Sequence, residues 1–421
     1  MRLRRFTTRV TNLQVNGDEF QCSQPSIMTI QAFETLIGPH ESFDWPEIWP
    51  KVKTLYWITP PDHLQFLSHF LTLNVRTLRI HLEQAEDEEV QEVLGLVESR
   101  CMNLVDLRLV DPEEREDEEI QDTIRQIIYN NSLTLKVFYP PQDPPAPLVS
   151  DILKLPMLQV LDMHIPEVPD SAPWDILPSL EYINFTLDDP SDTIRLLGTL
   201  RESKLRHFSL TCPYPTSDDE HAAMADFFNS TGLYFSADEF SWELPSDEKP
   251  PTWQFVKTLS YFSNMQVLSL GIHCTPACCF GFRHQNVVEL STWMPRLREL
   301  YLGGSPCAAS GRVTDIGYHT LAVLAKNCPK LFSLTIHFNI GTFVFRDFVE
   351  PNWNVTVWDV GDIPPPSDPQ ILTMFALAVS SLFPKVTFIG AMGKNAMKWN
   401  EIYEELQMFT LPTDHKMLDL M

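Results

Sequence analysis

Residues Val313–Phe338 read VTDIGYHTLAVLAKNCPKLFSLTIHF, and two hydrophobic periods follow one another in them. Ile316, Leu321, Leu324 and Ala325 recur at the spacing of one helix face. Leu331, Leu334, Ile336 and Phe338 then alternate with polar residues as a strand does. Asn327-Cys328-Pro329 separates the halves: proline cannot continue a helix and steers its predecessor toward extended backbone. A lone helix–strand unit cannot bury its own apolar face, so this stretch requires neighbours of its own kind.

The neighbours are present. The strand pattern apolar-x-x-apolar-x-apolar starts at Val10, Val52, Val75, Leu104, Leu158, Leu180, Leu205, Met265, Leu297 and Leu331. A weaker copy runs Leu133, Leu135, Val137, a last candidate is Val386–Ile389, and a divergent one surrounds Phe240, Trp242 and Leu244. First positions from 52 to 205 step by 22 to 29 residues, and later ones by 32 and 34. These steps lie in or slightly above the range of leucine-rich repeats. Turns of one form precede the strands, as at Cys101-Met-Asn-Leu104, Leu155-Pro-Met-Leu158, Met294-Pro-Arg-Leu297 and Cys328-Pro-Lys-Leu331.

Helices are expected over Leu64–Leu71, Glu88–Val97, Glu118–Ile128, Ser191–Leu200, Glu220–Phe228, Trp253–Phe262, Ile316–Ala325 and Gln370–Leu382. The expected fold class is α/β: a leucine-rich-repeat solenoid (horseshoe) with a parallel concave β-sheet and outer helices. About a dozen repeats would fill residues 1–393, and residues 394–421 would form a C-terminal capping helix and tail. Residues 138–149 (FYPPQDPPAPLV) read as a proline-rich connection. Residues 340–369 break the rhythm with a strand-like run, Asn354–Val360, and a proline-rich loop.

The 421 residues carry a formal charge of −25 and are 44% hydrophobic. So acidic a chain is unsuited to nucleic acid or an anionic membrane surface, and no apolar run is long enough to span a bilayer. With no apolar signal core behind MRLRRFTTRV, the eight dispersed cysteines read as reduced thiols, and a cytoplasmic or nuclear location is expected. The patterns of phosphate-binding loops, dinucleotide folds, zinc proteases and serine hydrolases are missing from the sequence. No enzyme and no cofactor are expected. His273, Cys274, Cys278, Cys279 and His284 gather metal-capable side chains without a C-x2-C pair, so no metal is expected there.

Between the core positions of each strand, alternate residues face the open side of the sheet. One row is Tyr56, Arg79, Arg108, Asp162, Asn184, Ser209, Ser269, Tyr301 and Thr335. A second holds Ile58, His81, Val110, His164, Thr186, Thr211, Gly271, Gly303 and His337. From these, Tyr56, Arg79, His81, Arg108, Asp162, His164, Asn184, Tyr301, Thr335 and His337 are the candidates for contact with a protein partner. Two acidic runs, Glu83–Glu92 and Asp111–Glu119, each of net charge −6, follow adjacent strands. They read either as contacts for a basic partner or as solvated loops that start helices with favourable carboxylates.

Val313-Thr314-Asp315-Ile316-Gly317, with Leu321, Leu324 and Cys328-Pro329-Lys330-Leu331, resembles the cysteine-containing repeats of F-box/leucine-rich-repeat proteins. The other repeats are more irregular, like those of the fungal members. The resemblance implies a substrate receptor of a cullin–RING ubiquitin ligase, whose repeats hold a protein substrate and whose F-box binds a Skp-type adaptor. The given sequence shows no Leu-Pro-x-Glu-like F-box opening before Val10, so adaptor binding attaches to no residue here. A free-standing leucine-rich-repeat scaffold is the alternative.

Overall fold

The computed structural model describes residues 11–16, 27–29, 51–58, 61–111, 117–141, 143–165, 179–187, 205–212, 218–230, 237–243, 253–270, 283–302, 315–336, 338–340, 350–360, 365–390 and 397–399. The chain divides into two compact units: Met1–Asp188 with Arg195–Lys204, and Asp189–Ile194 with Leu205–Met421.

Among its described residues unit one carries eight parallel strands: β1 (Asn12–Asn16), β2 (Ile27–Thr29), β3 (Thr54–Ile58), β4 (Thr77–His81), β5 (Asp106–Val110), β6 (Val137–Tyr139), β7 (Val160–Ile165) and β8 (Tyr182–Leu187). They lie in the order β2-β1-β3-β4-β5-β6-β7-β8. A 3-10 segment (Pro61–His69) and the helices α1 (Asp87–Arg100), α2 (Glu118–Asn130) and α3 (Ala146–Ile152) connect successive strands and pack side by side.

Unit two runs in chain order through β9 (His207–Thr211), β10 (Glu239–Glu243), β11 (Val267–Leu270), β12 (Glu299–Leu302), β13 (Ser333–Ile336), β14 (Val357–Asp359) and β15 (Phe388–Gly390), again all parallel. Its described helices are α4 (Asp218–Ser230), α5 (Trp253–Thr258) with a 3-10 turn at Leu259–Tyr261, α6 (His284–Trp293), α7 (Tyr318–Asn327) and α8 (Pro369–Leu382). A strand preceded by a helix or 3-10 segment, repeated in parallel, is the leucine-rich-repeat architecture expected from the spacing.

One hydrogen-bond device recurs at most steps between the described strands. The carbonyl of Lys53 accepts from both Arg76 N–H (2.7 Å) and Thr77 N–H (2.9 Å). The carbonyls of Arg76, Val105, Lys136, Gln159, Arg206, Asp238, Gln266, Arg298 and Phe332 do the same for the next repeat. A carbonyl has two lone pairs, so each turn locks the following strand with one acceptor. The side-chain consequence is strict alternation. Leu55, Leu78, Leu107, Phe138, Leu161 and Ile183 are buried, and their flanking residues are half-exposed.

The cores of the two units differ in composition. In unit one they are mainly aliphatic, with Val52, Val75, Leu104, Leu135, Leu158 and Leu180 forming the first buried column. Unit two buries more rings. Phe208 and Phe240 stack at 5.3 Å, and Phe228 stands edge-on to both and to Phe262. Trp242 packs edge-on to Phe255 at 4.9 Å and donates its indole N–H to the Cys212 carbonyl at 2.9 Å. Ring pairs in these offset and edge-on geometries contribute beyond their buried area.

Buried polar groups close the turns. Asn131 follows α2 and accepts from Leu104 N–H at 2.8 Å, while its amide donates to the carbonyls of Cys101 and Ile127. Asn352 plays the corresponding part in unit two, donating to the carbonyls of Ala325 and Cys328. Cys101 and Cys328 occupy equivalent positions just after a helix. Burial pushes each thiol up to about 12, as expected of packing residues.

Four expectations change. The weaker copy is Leu135-x-x-Phe138, two residues later than the periodicity suggested, because Lys136 and Val137 take the double hydrogen bond from Val105. The proline-rich 138–149 stretch holds the end of β6 and the start of α3. Pro145 and Pro147 sit at the N-cap and first turn, where the missing N–H costs nothing. His284 opens α6, which is not among the expected helices: its N–H donates to Asp315 at 2.6 Å and Nδ1 meets the Thr320 hydroxyl at 2.8 Å. The edge strand β2 was not foreseen. The expected helix at Ser191–Leu200 and most of the C-terminal capping segment lie outside the described residues.

Candidate protein-interaction face

Parallel pairing places corresponding strand positions side by side. In unit one, the residue between the two core positions of each strand forms the row Gln14, Tyr56, Arg79, Arg108, Tyr139. Adjacent strands are about 4.8 Å apart, so Tyr56 to Tyr139 spans about 14 Å. Asp162 and Asn184 carry the row onto β7 and β8. All these side chains from Tyr56 onward are half-exposed.

The row is held by contacts within the face. Arg108 pairs with Asp106, two residues back on β5, through Nε at 3.0 Å and an Nη at 3.1 Å. Its guanidinium covers the Tyr139 ring, 4.5 Å from the centroid. Fork geometry and ring stacking together fix an arginine where either alone leaves it mobile. The hydrogen bond to Asp106, the largest influence, raises the Arg108 pKa above its ordinary value. Burial pushes the Tyr139 phenol up, with Arg108 opposing. Burial also pushes the Asp162 carboxyl above the usual carboxylate range, opposed by the 3.1 Å bond from the Asn184 amide and by Arg108.

On the outward row, His164 pairs with Asp143, which stands at a left-handed φ of 53° in the turn after β6. His81 lies beside Val110 of β5. Burial, then the charge of Arg79, hold its pKa below the ordinary value, with Glu83 opposing.

Unit two presents the same positions with different chemistry. Ser209, Ser241, Ser269, Tyr301, Thr335 and Asp359 form the corresponding row. Tyr301 is the one large side chain among these six. Beside them, His207 Nδ1 and Glu239 Oε2 meet at 2.6 Å. Of the sequence candidates, Tyr56, Arg79, Arg108, Asp162 and Asn184 come together in unit one, with His81 and His164 on the next row outward. Tyr301 and Thr335 are paired neighbours in unit two. His337, Gly271 and Gly303 lie outside the described residues.

Two participants were missed. Tyr139 was hidden by the misplaced register of its repeat, which the Leu135-x-x-Phe138 spacing could have revealed. Asp106 occupies the position before the central core residue, which faces the same side as Arg108 by strand alternation.

The acidic runs contribute to helix starts where they are described. Asp117 caps α2 by accepting from Glu119 N–H at 2.7 Å, and Asp87, Glu88 and Glu89 fill the first turn of α1. Carboxylates at these positions oppose the positive end of the helix dipole. Among the described residues no His, Cys, Asp and Glu side chains group to hold a metal, and no helix is long and apolar enough to cross a membrane. Of the cysteine–histidine cluster at 273–284, only His284 is described.

Neither a family model nor a curated protein matches the sequence. Among solved structures, the chain is similar to an internalin from Listeria monocytogenes at 14% identity and a TM-score of 0.33, over 69% of this chain and 76% of that one. It is also similar to a leucine-rich-repeat protein from Leptospira interrogans at 12% identity and a TM-score of 0.26, over 68% and 78%.

Proposed function

We propose that this chain is a non-enzymatic protein-interaction module whose partner lies on the open face of the unit one sheet. The observation that carries this reading is the in-register row Tyr56, Arg79, Arg108, Tyr139. Tyrosine and arginine are the residue types that concentrate binding energy at interfaces. Here they stand on hydrogen-bonded strands, where the backbone needs no ordering on binding.

The test is the triple variant Arg79→Ala, Arg108→Ala, Tyr139→Ala, compared with wild type by quantitative affinity capture. Loss of one or more wild-type partners is expected. An unchanged set of partners rules out this surface.

Within this reading we assign the chain to substrate reception for a cullin–RING ubiquitin ligase. The support is the resemblance of Val313–Leu331 to cysteine-containing F-box repeats. Asp315 and Cys328 have structural uses there: the Asp315 carboxylate accepts from the first N–H of α6, and the Cys328 thiol points to the Met294 carbonyl at 3.5 Å. Capture of a Skp-type adaptor by the full-length protein supports the ligase role. Capture of other partners without it leaves the free-standing scaffold.

A further inference from the structure

The open face of unit one holds one guanidinium that is satisfied and one that is not. Arg108 has the two oxygens of Asp106 and the ring of Tyr139. Arg79, its in-register neighbour on β4, makes no hydrogen bond and no ion pair among the described residues, and its Nε is buried without an acceptor. Two residues further along the same strand face, His81 Nε2 is also buried without a partner. Buried polar groups are nearly always paired, because leaving a charged donor unmet costs its desolvation.

On the strands around Arg79 cations outnumber carboxylates, and Glu83, just past the end of β4, acts on His81. At the outward positions of β3–β6 the ionised groups are Arg79, Arg108 and Asp106, and Asp106 is engaged by Arg108. Tyr56 lies in register on the other side of Arg79. The result is a local positive site, floored by a sheet and walled by Tyr56 on one side and the Arg108–Tyr139 stack on the other, in a chain whose formal charge is −25.

We propose that this site binds an acidic peptide segment of a protein partner, with an aspartate or glutamate carboxylate of that segment accepted by Arg79. The carboxylate matches the guanidinium fork, and half-burial strengthens the bond relative to one in water. This inference rests on the reading that the open face is the binding face, and it names the chemistry that the face selects.

The experiment is fluorescence anisotropy at low salt with three labelled, acetylated and amidated decapeptides. Serine alternates in them with glutamate, glutamine or lysine. Wild type should bind the glutamate peptide at least about tenfold more tightly than the glutamine peptide, and 0.5 M salt should erase most of that preference. Arg79→Gln should abolish it, and Arg79→Lys should restore part of it. Should Arg79→Gln not fold, Arg79→Lys and the salt series still decide. Equal binding of the glutamate and glutamine peptides, a preference that survives Arg79→Gln, or tightest binding of the lysine peptide overturns the proposal. Partner capture lost in the triple variant, with no glutamate preference, sinks this inference alone. A glutamate preference lost in Arg79→Gln, with an unchanged set of captured partners, sinks the wider reading and leaves the anion site.

Discussion

The two units build the same surface position from opposite kinds of residue. Across β3–β6 it is Tyr, Arg, Arg, Tyr; across β9–β13 it is Ser, Ser, Ser, Tyr, Thr. The backbone is not the cause, since both units use the same doubled hydrogen bond at most of their described turns. Beneath the faces the contrast runs the other way. Unit one is mainly aliphatic below and rich in charged and aromatic side chains above. Unit two places its rings below, around Phe208, Phe228, Phe240 and Phe262, and mostly small hydroxyls above. Unit two puts more of its rings into the core, and unit one puts more large side chains on the surface row. The contrast shows that repeat geometry dictates where a residue points without dictating what it does there.

That contrast can be broken most forcefully in the core. Phe240→Ala removes the ring shared by Phe208, Phe228 and Phe262 and should cost about 3–5 kcal/mol. Leu107→Ala, its aliphatic counterpart, should cost about 2–5 kcal/mol. Urea unfolding followed by hydrogen exchange should show each loss centred on its own unit. A loss under about 1 kcal/mol at Phe240 would remove the ring cluster from the account of unit two.

Next come the turn asparagines. Asn131→Ala leaves the buried Leu104 N–H without an acceptor, and Asn352→Ala removes the side-chain donor to the Ala325 and Cys328 carbonyls, of which Cys328 keeps Leu331 N–H. Each should cost about 1–3 kcal/mol in thermal or chemical unfolding. Similar costs in both units mean one device used twice, whereas a cost confined to Asn131 would separate the units further.

On the open faces the expected effect moves from stability to binding. Tyr56→Ala should change stability by no more than about 0.5 kcal/mol and weaken partner binding by about 2 kcal/mol, as a hot spot does. Tyr301→Ala should weaken it by less than about 1 kcal/mol. Isothermal titration with a captured partner reads both, and the reverse ranking would move the binding face to unit two.

The smallest expected effect is a pH dependence. Burial and Arg79 hold the His81 pKa below the ordinary 6.5 in the folded chain, so the unfolded chain takes up the proton first. Stability from this group is therefore complete above the unfolded value and is lost as pH falls below it. His81→Gln should flatten that fall between pH 7.5 and 5.5. An unaltered slope would mean that the surroundings of His81 do not penalise its charge.

Much of this was legible in one dimension, and the exceptions have causes. The apolar-x-x-apolar-x-apolar period marks the buried columns at Leu78, Leu107 and Leu334, because a half-buried strand must alternate. The period failed at Leu135, where Leu133 two residues earlier mimics the pattern; Leu133 is exposed, and only the hydrogen bonds to Val105 settle the register. It also passed over α6, whose Val287, Leu290 and Met294 carry a helical spacing behind a cysteine-rich stretch. The site was half legible. Arg79 and Arg108 could be placed on the open face, and the local difference between them is Asp106 two residues before Arg108 against Thr77 before Arg79.

By itself the sequence determined the repeating helix–strand unit, the parallel sheet and the side of each strand that is buried, because those follow from periods of apolar residues within one repeat. Tertiary structure alone decided that Arg108 lies over Tyr139 while Arg79, in register beside it, is left without an acceptor. The physical reason is that pairing across a parallel sheet joins residues 23 to 31 positions apart, and only the register brings their side chains within reach of one another.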